Sequence, residues 1–328
     1  MNKRIFISGA SGYIGAPLTQ RLVSQGHTVH VLLRGTKALP WASHERIKVF
    51  YGDICNYDDV ARAMHLCQEA YHLAAFARVW ARDTTEYFKQ NVHATEQVLR
   101  AAREVGLGRT VCTSTGGIFG PSFQGAIAEG YARKVDFFNE YESSKCVAEL
   151  LIKNWAIQGQ DIVSVAPTRV YGPSAGGKLQ SVNLMIDMYL RGKWRFIPGD
   201  GSKVGNYVLV DDVVEGHLLA MEKGRSGHTY LLAGENHDYL SLFRLLAQVS
   251  GRHHRMVFMP HWVQGLFAHW QLWRGYLGME PSVTPKWTAK GRYDFEVSNQ
   301  KACEELGLKI TPLAQGIEKT VGWLKADR

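Results

Sequence analysis

The run Arg4-Ile5-Phe6-Ile7-Ser8, followed by Gly9-Ala10-Ser11-Gly12-Tyr13-Ile14-Gly15, constrains this chain more than any other stretch. A short apolar segment enters three glycines spaced three apart. A helical pattern follows over 16–25, with Leu18, Leu22 and Val23 on one side and Gly26 to close it. A turn this tight puts backbone N–H groups and a helix N-terminus at one point, where missing side chains let a phosphate approach. A glycine turn also serves as a plain strand-to-helix connection. The strand before it and the helix after it favour a dinucleotide, held by Gly9, Ser11, Gly12, Tyr13, Ile14 and Gly15.

Strand and helix keep alternating downstream. Segments 28–33, 47–51, 70–73, 110–114 and 162–167 read as strands. Segments 57–66 (capped by Asn56), 85–104 (closed by Gly106) and 140–158 read as helices. Parallel strands need crossover helices, so the pattern predicts an α/β fold: a Rossmann-type doubly wound parallel sheet. After Gly172-Pro173 the rhythm changes to a Gly- and Pro-rich stretch around a helix at 181–191. A strand at 208–210 and a helix at 211–222 then read as returning to the sheet, and 234–328 reads as mostly helical. The expected layout is a dinucleotide lobe, 1–172 with 208–233, interwoven with a smaller, mostly helical substrate lobe, 173–207 and 234–328.

A net charge of +8 suits an anionic ligand or a scattered basic surface, and no Lys/Arg block is long enough for a nucleic-acid face. The five cysteines are odd in number and lack a C-x-x-C pair, which favours a reducing, cytoplasmic compartment. Strand and turn already occupy residues 1–9, which argues against a signal peptide, and no apolar run reaches membrane-spanning length. His253 and His254 are adjacent, so their side chains diverge, and no metal site is expected.

The end of the second strand selects the dinucleotide. Arg34 stands there, with Lys37 close by and no carboxylate to repel a 2′-phosphate. This favours NADP(H) over NAD(H), with the alternative that Arg34 stacks on adenine or faces water. Asp53, followed by Ile54, ends the third strand and either reaches the adenine amino group or caps the next helix. Ala74 and Ala75 end the fourth, where small residues let backbone lie against a ribose. Far downstream, Tyr141-Glu142-Ser143-Ser144-Lys145 puts a phenol and an ammonium on one helical face, so that the lysine favours the tyrosinate.

These motifs, with His72-Leu73-Ala74-Ala75, Asn91-Val92, Thr113-Ser114-Thr115, Pro167-Thr168-Arg169-Val170-Tyr171-Gly172-Pro173 and Val210-Asp211-Asp212, occur in register. The chain resembles the extended short-chain dehydrogenase/reductase superfamily, in its epimerase/dehydratase group. Ala77–Asp83 and Glu215–Ala220 are similar to hopanoid-associated sugar epimerase-like proteins and to the dihydroflavonol reductase and 3β-hydroxysteroid dehydrogenase branch. The resemblance implies that Tyr141 exchanges a proton with the substrate oxygen. It gives Lys145 two tasks, lowering the Tyr141 pKa and binding the nicotinamide ribose. Thr115, or failing it Ser114, holds the substrate oxygen. Asn91 bonds backbone near the sheet's end, and Pro167, Thr168 and Val170 pack on the nicotinamide carboxamide. It also implies a homodimer through the helices 85–104 and 140–158.

Nucleotide-sugar members place an Arg where this chain has Asn206, and a neutral amide cannot replace a bidentate guanidinium on a diphosphate. Lys203 or Arg195 would have to compensate. Trp262, Leu266, Phe267, Trp270, Trp273 and Leu277 form an aromatic stripe at helical spacing. Core packing is the first reading of that stripe; a greasy wall over the site and a membrane or partner contact are the others. Phe76, Val79 and Trp80 add apolar surface beside the nicotinamide. The expected function is an NADP(H)-dependent oxidoreductase that interconverts a ketone and a secondary alcohol on a mostly apolar molecule. The alternatives are a nucleotide-sugar epimerase/dehydratase and a non-catalytic dinucleotide sensor.

Overall fold

The computed structural model describes residues 2–35, 39–174 and 181–326; Lys37 lies outside the described residues. Along the chain come β1 (Arg4–Ser8), α1 (Gly15–Ser24), β2 (Thr28–Leu33), β3 (Ile47–Tyr51), α2 (Tyr57–Met64) and β4 (Glu69–His72). Then follow α3 (Thr85–Phe88), α4 (Ala94–Glu104), β5 (Arg109–Thr113), α5 (Glu140–Ile157), β6 (Ile162–Pro167) and β7 (Arg169–Tyr171). The rest comprises α6 (Ser181–Leu190), β8 (Phe196–Pro198), β9 (Val204–Leu209), α7 (Val210–Lys223), β10 (Thr229–Leu232) and β11 (Glu235–Asp238). It closes with α8 (Tyr239–Ser250), β12 (Val257–Met259), α9 (His261–Tyr276), α10 (Pro285–Ala289) and α11 (Leu313–Ala326).

Seven strands form one parallel sheet in the order β10-β6-β5-β4-β1-β2-β3. Both faces are covered, so alternate residues of one strand enter different cores. On β1, Ile5 and Ile7 join the layer with Leu18 and Val213, while Phe6 joins the layer with Val60 and Val98. Chain order reverses between β1 and β4, and the crevice at their C-terminal ends is where such a sheet receives a ligand.

The strand expected at 208–210 does not return to this sheet. Val208 and Leu209 belong to β9, which lies between β7 and antiparallel β11 in a separate three-stranded sheet, and Val210 opens α7. The segment's contribution to the main sheet is instead β10, parallel to β6. β8 and β12 pair on their own. The elements beyond the main sheet have their own core, in which Tyr171, Ile186, Leu209, Leu242 and Ile317 pack together. The helix expected over 85–104 is broken by a π turn, Lys89–His93, between α3 and α4.

Candidate active site

The glycine turn sits at the switch point. Gly9 has φ +76°, and a Cβ there would stand 2.7 Å from the Ala74 nitrogen. A Cβ on Gly15 would stand 2.1 Å from the Gly9 carbonyl oxygen. Strand, turn and helix therefore close up only without side chains. α1 begins with no acidic residue and no side-chain cap, which leaves its N-terminus open to an anion. This bare cradle fits a dinucleotide pyrophosphate, with Gly9, Ser11, Gly12, Ile14 and Gly15 in its wall.

Tyr13 does something else as well. Its phenol donates to the Gly172 carbonyl (2.6 Å) and accepts from Asn183 Nδ2 (2.9 Å), while Ser174 Oγ donates to the Tyr13 carbonyl (2.7 Å). The turn is thus clasped to the loop that leads into α6. Nothing in the sequence around Asn183 advertises this.

Arg34 is exposed at the end of β2 and reaches Gln90 Oε1 at 3.3 Å. Asp53 accepts from the Cys55 N–H at 2.9 Å; the cap of α2 is Asn56, whose side chain accepts from the Asp59 N–H. The helix-capping alternative for Asp53 therefore falls. Ile54 is buried among Phe6, Leu32 and Val60, so only its backbone remains for a ligand. Ala74 is half-buried against Gly9, and Ala75 is exposed.

Tyr141 lies one residue into α5, which Asn139 caps by accepting from the Glu142 N–H. Its phenol faces the Thr115 hydroxyl; burial pushes it up to about 12, and the Thr115 hydroxyl opposes the rise. Lys145, expected to lower the phenol's pKa, is almost wholly buried and donates instead to the Thr113 carbonyl at 2.7 Å. Burial also draws the Lys145 ammonium down. His217 accepts from the Thr113 hydroxyl at 2.9 Å and bonds the Val213 carbonyl through Nδ1. Burial holds it neutral, at about 4. Ser114 Oγ is buried with no partner among the described residues.

The π turn aims Asn91 at the same place. Its amide accepts from the Phe76 N–H (2.7 Å) and donates to Ser144 Oγ (2.9 Å), which in turn donates to the Tyr141 carbonyl. Behind it, His72 bridges Ser8 Oγ (2.7 Å) and Thr95 Oγ1 (2.9 Å). Burial first, and the Lys145 charge second, pull it down to about 3. The cofactor strand, the 74–76 segment and the Tyr141 helix thus share one buried polar network.

Sequence reasoning missed the supports of the Thr115 loop. Buried Glu142 pairs with Arg133 at 2.8 Å and with Lys290, and Arg133 also donates to the Gly117 carbonyl. Lys290 lies about 150 residues away in sequence, so no local signal joins it to Glu142. Pro167 is buried at the end of β6, Thr168 donates to Asn206, and half-buried Val170 packs on the main core. Arg169 lies against Tyr207 (3.3 Å), over Gly205, whose missing Cβ gives it room. Among the described residues no carboxylate pairs with it.

The diphosphate position is occupied by structure. Asn206 is buried and bonds Thr168, Gly234 and Asn236. Lys203 is already paired with Asp294 at 3.0 Å, and exposed Arg195 donates through Nε to the Gly192 carbonyl.

Phe76 packs edge-on against Tyr87. The Val79 carbonyl accepts from Trp287 Nε1 at 3.0 Å, and Trp80 meets Tyr276 edge-on. This segment is therefore roofed by the end of α9 and by α10. The aromatic stripe itself is not core: Trp262, Leu266, Trp270 and Trp273 are at least half exposed, while Ala268, Gln271 and Gly275 form the buried side. Small side chains let α9 lie close to the body and turn its large ones outward.

Comparison with known proteins places this arrangement. The model of the NAD dependent epimerase/dehydratase family matches residues 5–233. A Synechocystis protein named "Putative dihydroflavonol 4-reductase" is 30% identical, covering 98% of this chain and 94% of that protein. The 4-hydroxy-2-methyl-3-oxo-4-farnesyl-3,4-dihydroquinoline-1-oxide ketoreductase of Stigmatella aurantiaca is 28% identical over 93% of this chain and 91% of its own. The crystal structure of gox2253 superposes with a TM-score of 0.82 at 27% identity, covering 99% of both chains. The chain belongs to the NAD-dependent epimerase/dehydratase family, and is an NAD(P)-dependent oxidoreductase of the extended short-chain dehydrogenase/reductase type.

Proposed function

We propose that the protein is an NADP(H)-dependent oxidoreductase that interconverts a ketone and a secondary alcohol on a mostly apolar small molecule. The observation that carries this reading is the Tyr141 phenol facing Thr115, together with the bare glycine cradle and the buried Asn206 in place of a diphosphate-binding arginine. The farnesylated ketone in the name of the Stigmatella relative supports the substrate class. When bound, the nicotinamide supplies or accepts the hydride. Thr115 holds the substrate oxygen, and Tyr141 gives that oxygen its proton on reduction and removes it on oxidation. Lys145, anchored on Thr113, reaches the nicotinamide ribose, and Phe76, Val79 and Trp80 exclude water. Arg169 adds a donor for an acceptor group on the substrate.

The test is absorbance at 340 nm with a ketone panel. Net oxidation of NADPH supports the reading. Turnover without net change would make the protein an epimerase or dehydratase, and saturable cofactor binding without turnover would make it a sensor.

Cofactor choice rests on Arg34. Arg34→Asp removes a charge-assisted hydrogen bond of roughly 1.5–3 kcal/mol and adds repulsion to a phosphate of about −2 charge. NADPH affinity should fall at least about tenfold, with NADH spared or improved. Dissociation constants for both cofactors read this out; an unchanged ratio would return the cofactor to NAD(H).

We also propose a homodimer through α4 and α5. On α5, Val147, Leu150 and Ile157 are exposed large apolar residues, as a helix-pair interface needs. Sedimentation at micromolar concentration should give a dimer, and a monomer would refute it.

A further inference from the structure

The apolar face of α9 points away from the protein. Trp262, Leu266, Trp270, Trp273, Tyr276 and Leu277 are 68%, 64%, 50%, 60%, 59% and 59% exposed. At 100° per residue they lie within one stripe, opposite buried Ala268 and Gly275. The preceding strand adds exposed Val257 and Phe258. An outward stripe of this size marks an interaction surface.

Its surroundings select the partner. Residues 239–292 hold seven Lys or Arg; Lys286 and Lys290 pair with Glu140 and Glu142, which leaves five arginines against the single carboxylate Glu280 of this segment. Arg255 is exposed two residues before β12, and the Arg274 guanidinium lies 4.9 Å from the Trp270 ring centre. A second copy pressed on this face would set cationic segment against cationic segment. Tryptophan, tyrosine and leucine flanked by arginine are instead the composition of a helix lying in a lipid headgroup region. Among the described residues no helix is long and apolar enough to cross a membrane, so the contact would be peripheral.

We propose that α9 docks the protein on a membrane surface rich in anionic lipid, with its tryptophans at headgroup depth. The docked face ends at Tyr276, against Trp80. Docking is independent of the reaction the protein performs.

The experiment is co-sedimentation of the full chain with vesicles of phosphatidylcholine alone and of phosphatidylcholine with phosphatidylglycerol. The expected result is binding to the mixed vesicles at least about tenfold tighter than to the neutral ones, weakening as salt screens the charge. The variant Trp262→Ser/Trp270→Ser/Trp273→Ser should lose at least about thirtyfold in partition, with cofactor affinity unchanged. Brominated lipid should quench the tryptophan fluorescence of the unaltered protein, which requires no variant. Absence of both binding and quenching overturns the proposal. So does a triple variant that still binds vesicles, or one that loses only self-association.

Discussion

Replacing Tyr141 by Phe should lower turnover by a factor of about 10² to 10⁴ while leaving cofactor affinity in place. The ring still packs in α5, and only the proton carrier goes. The buried phenol, pushed up to about 12, gives the pH dependence its sign. Reduction consumes the phenolic proton, so its rate should stay level as pH rises through about 7 to 10 and fall only as the phenol ionises. Oxidation needs the phenolate, so its rate should climb across the same interval. Profiles of kcat/KM in both directions measure this. A Tyr141→Phe variant near the original rate, or an oxidation rate indifferent to pH, would remove Tyr141 from the mechanism.

Gly15→Ala should strongly damage cofactor binding. Its Cβ would lie 2.1 Å from the Gly9 carbonyl oxygen, which is backbone and cannot rotate aside. Helix and strand must part, at a cost of about 1–3 kcal/mol. The parting occurs where the pyrophosphate sits, so affinity should fall about tenfold or more. Gly322→Ala in α11 is the control, because nothing lies within 4 Å of its Cβ. That change should leave the cofactor untouched and raise stability by up to about 1 kcal/mol through helix propensity. Cofactor titration and thermal unfolding of both variants measure the contrast. Equal affinities would show that the cradle tolerates separation.

Six strands of the parallel sheet were legible because they are short, largely apolar segments between helices; β10 was not. The glycine turn, Tyr141, Lys145 and Thr115 were legible because each belongs to a local motif. β7, β8, β11 and β12 were not: three or four residues carry no period, and their pairing depends on partners up to 61 residues away. The 208–210 segment was apolar enough for a central strand, yet it serves the second sheet, a choice made by tertiary contacts. The stripe on α9 shows the same limit from the other side. Helical spacing identifies a face but not the direction it looks, and here Ala268 and Gly275, too small to attract notice, mark the buried side. The Tyr13–Asn183 clasp and the Glu142–Lys290 pair join residues far apart in sequence, which no single window can display.

The π turn at Lys89–His93 has a consequence for insertions and deletions. A π turn holds one more residue than an α turn, so it shifts the angular phase of everything beyond it by about 100°. Upstream, Tyr87 must face Phe76; downstream, Val98 and Ala102 must face α2. No straight helix keeps both alignments with this number of residues. Deleting one residue between Lys89 and His93 would heal the helix and keep its two halves in step, because a straight helix one residue shorter has the same phase. What the deletion would lose is the wide turn that aims Asn91 at Phe76 and Ser144. The irregular turn therefore acts as a phase adjuster that lets a structural helix and a functional one share a single axis.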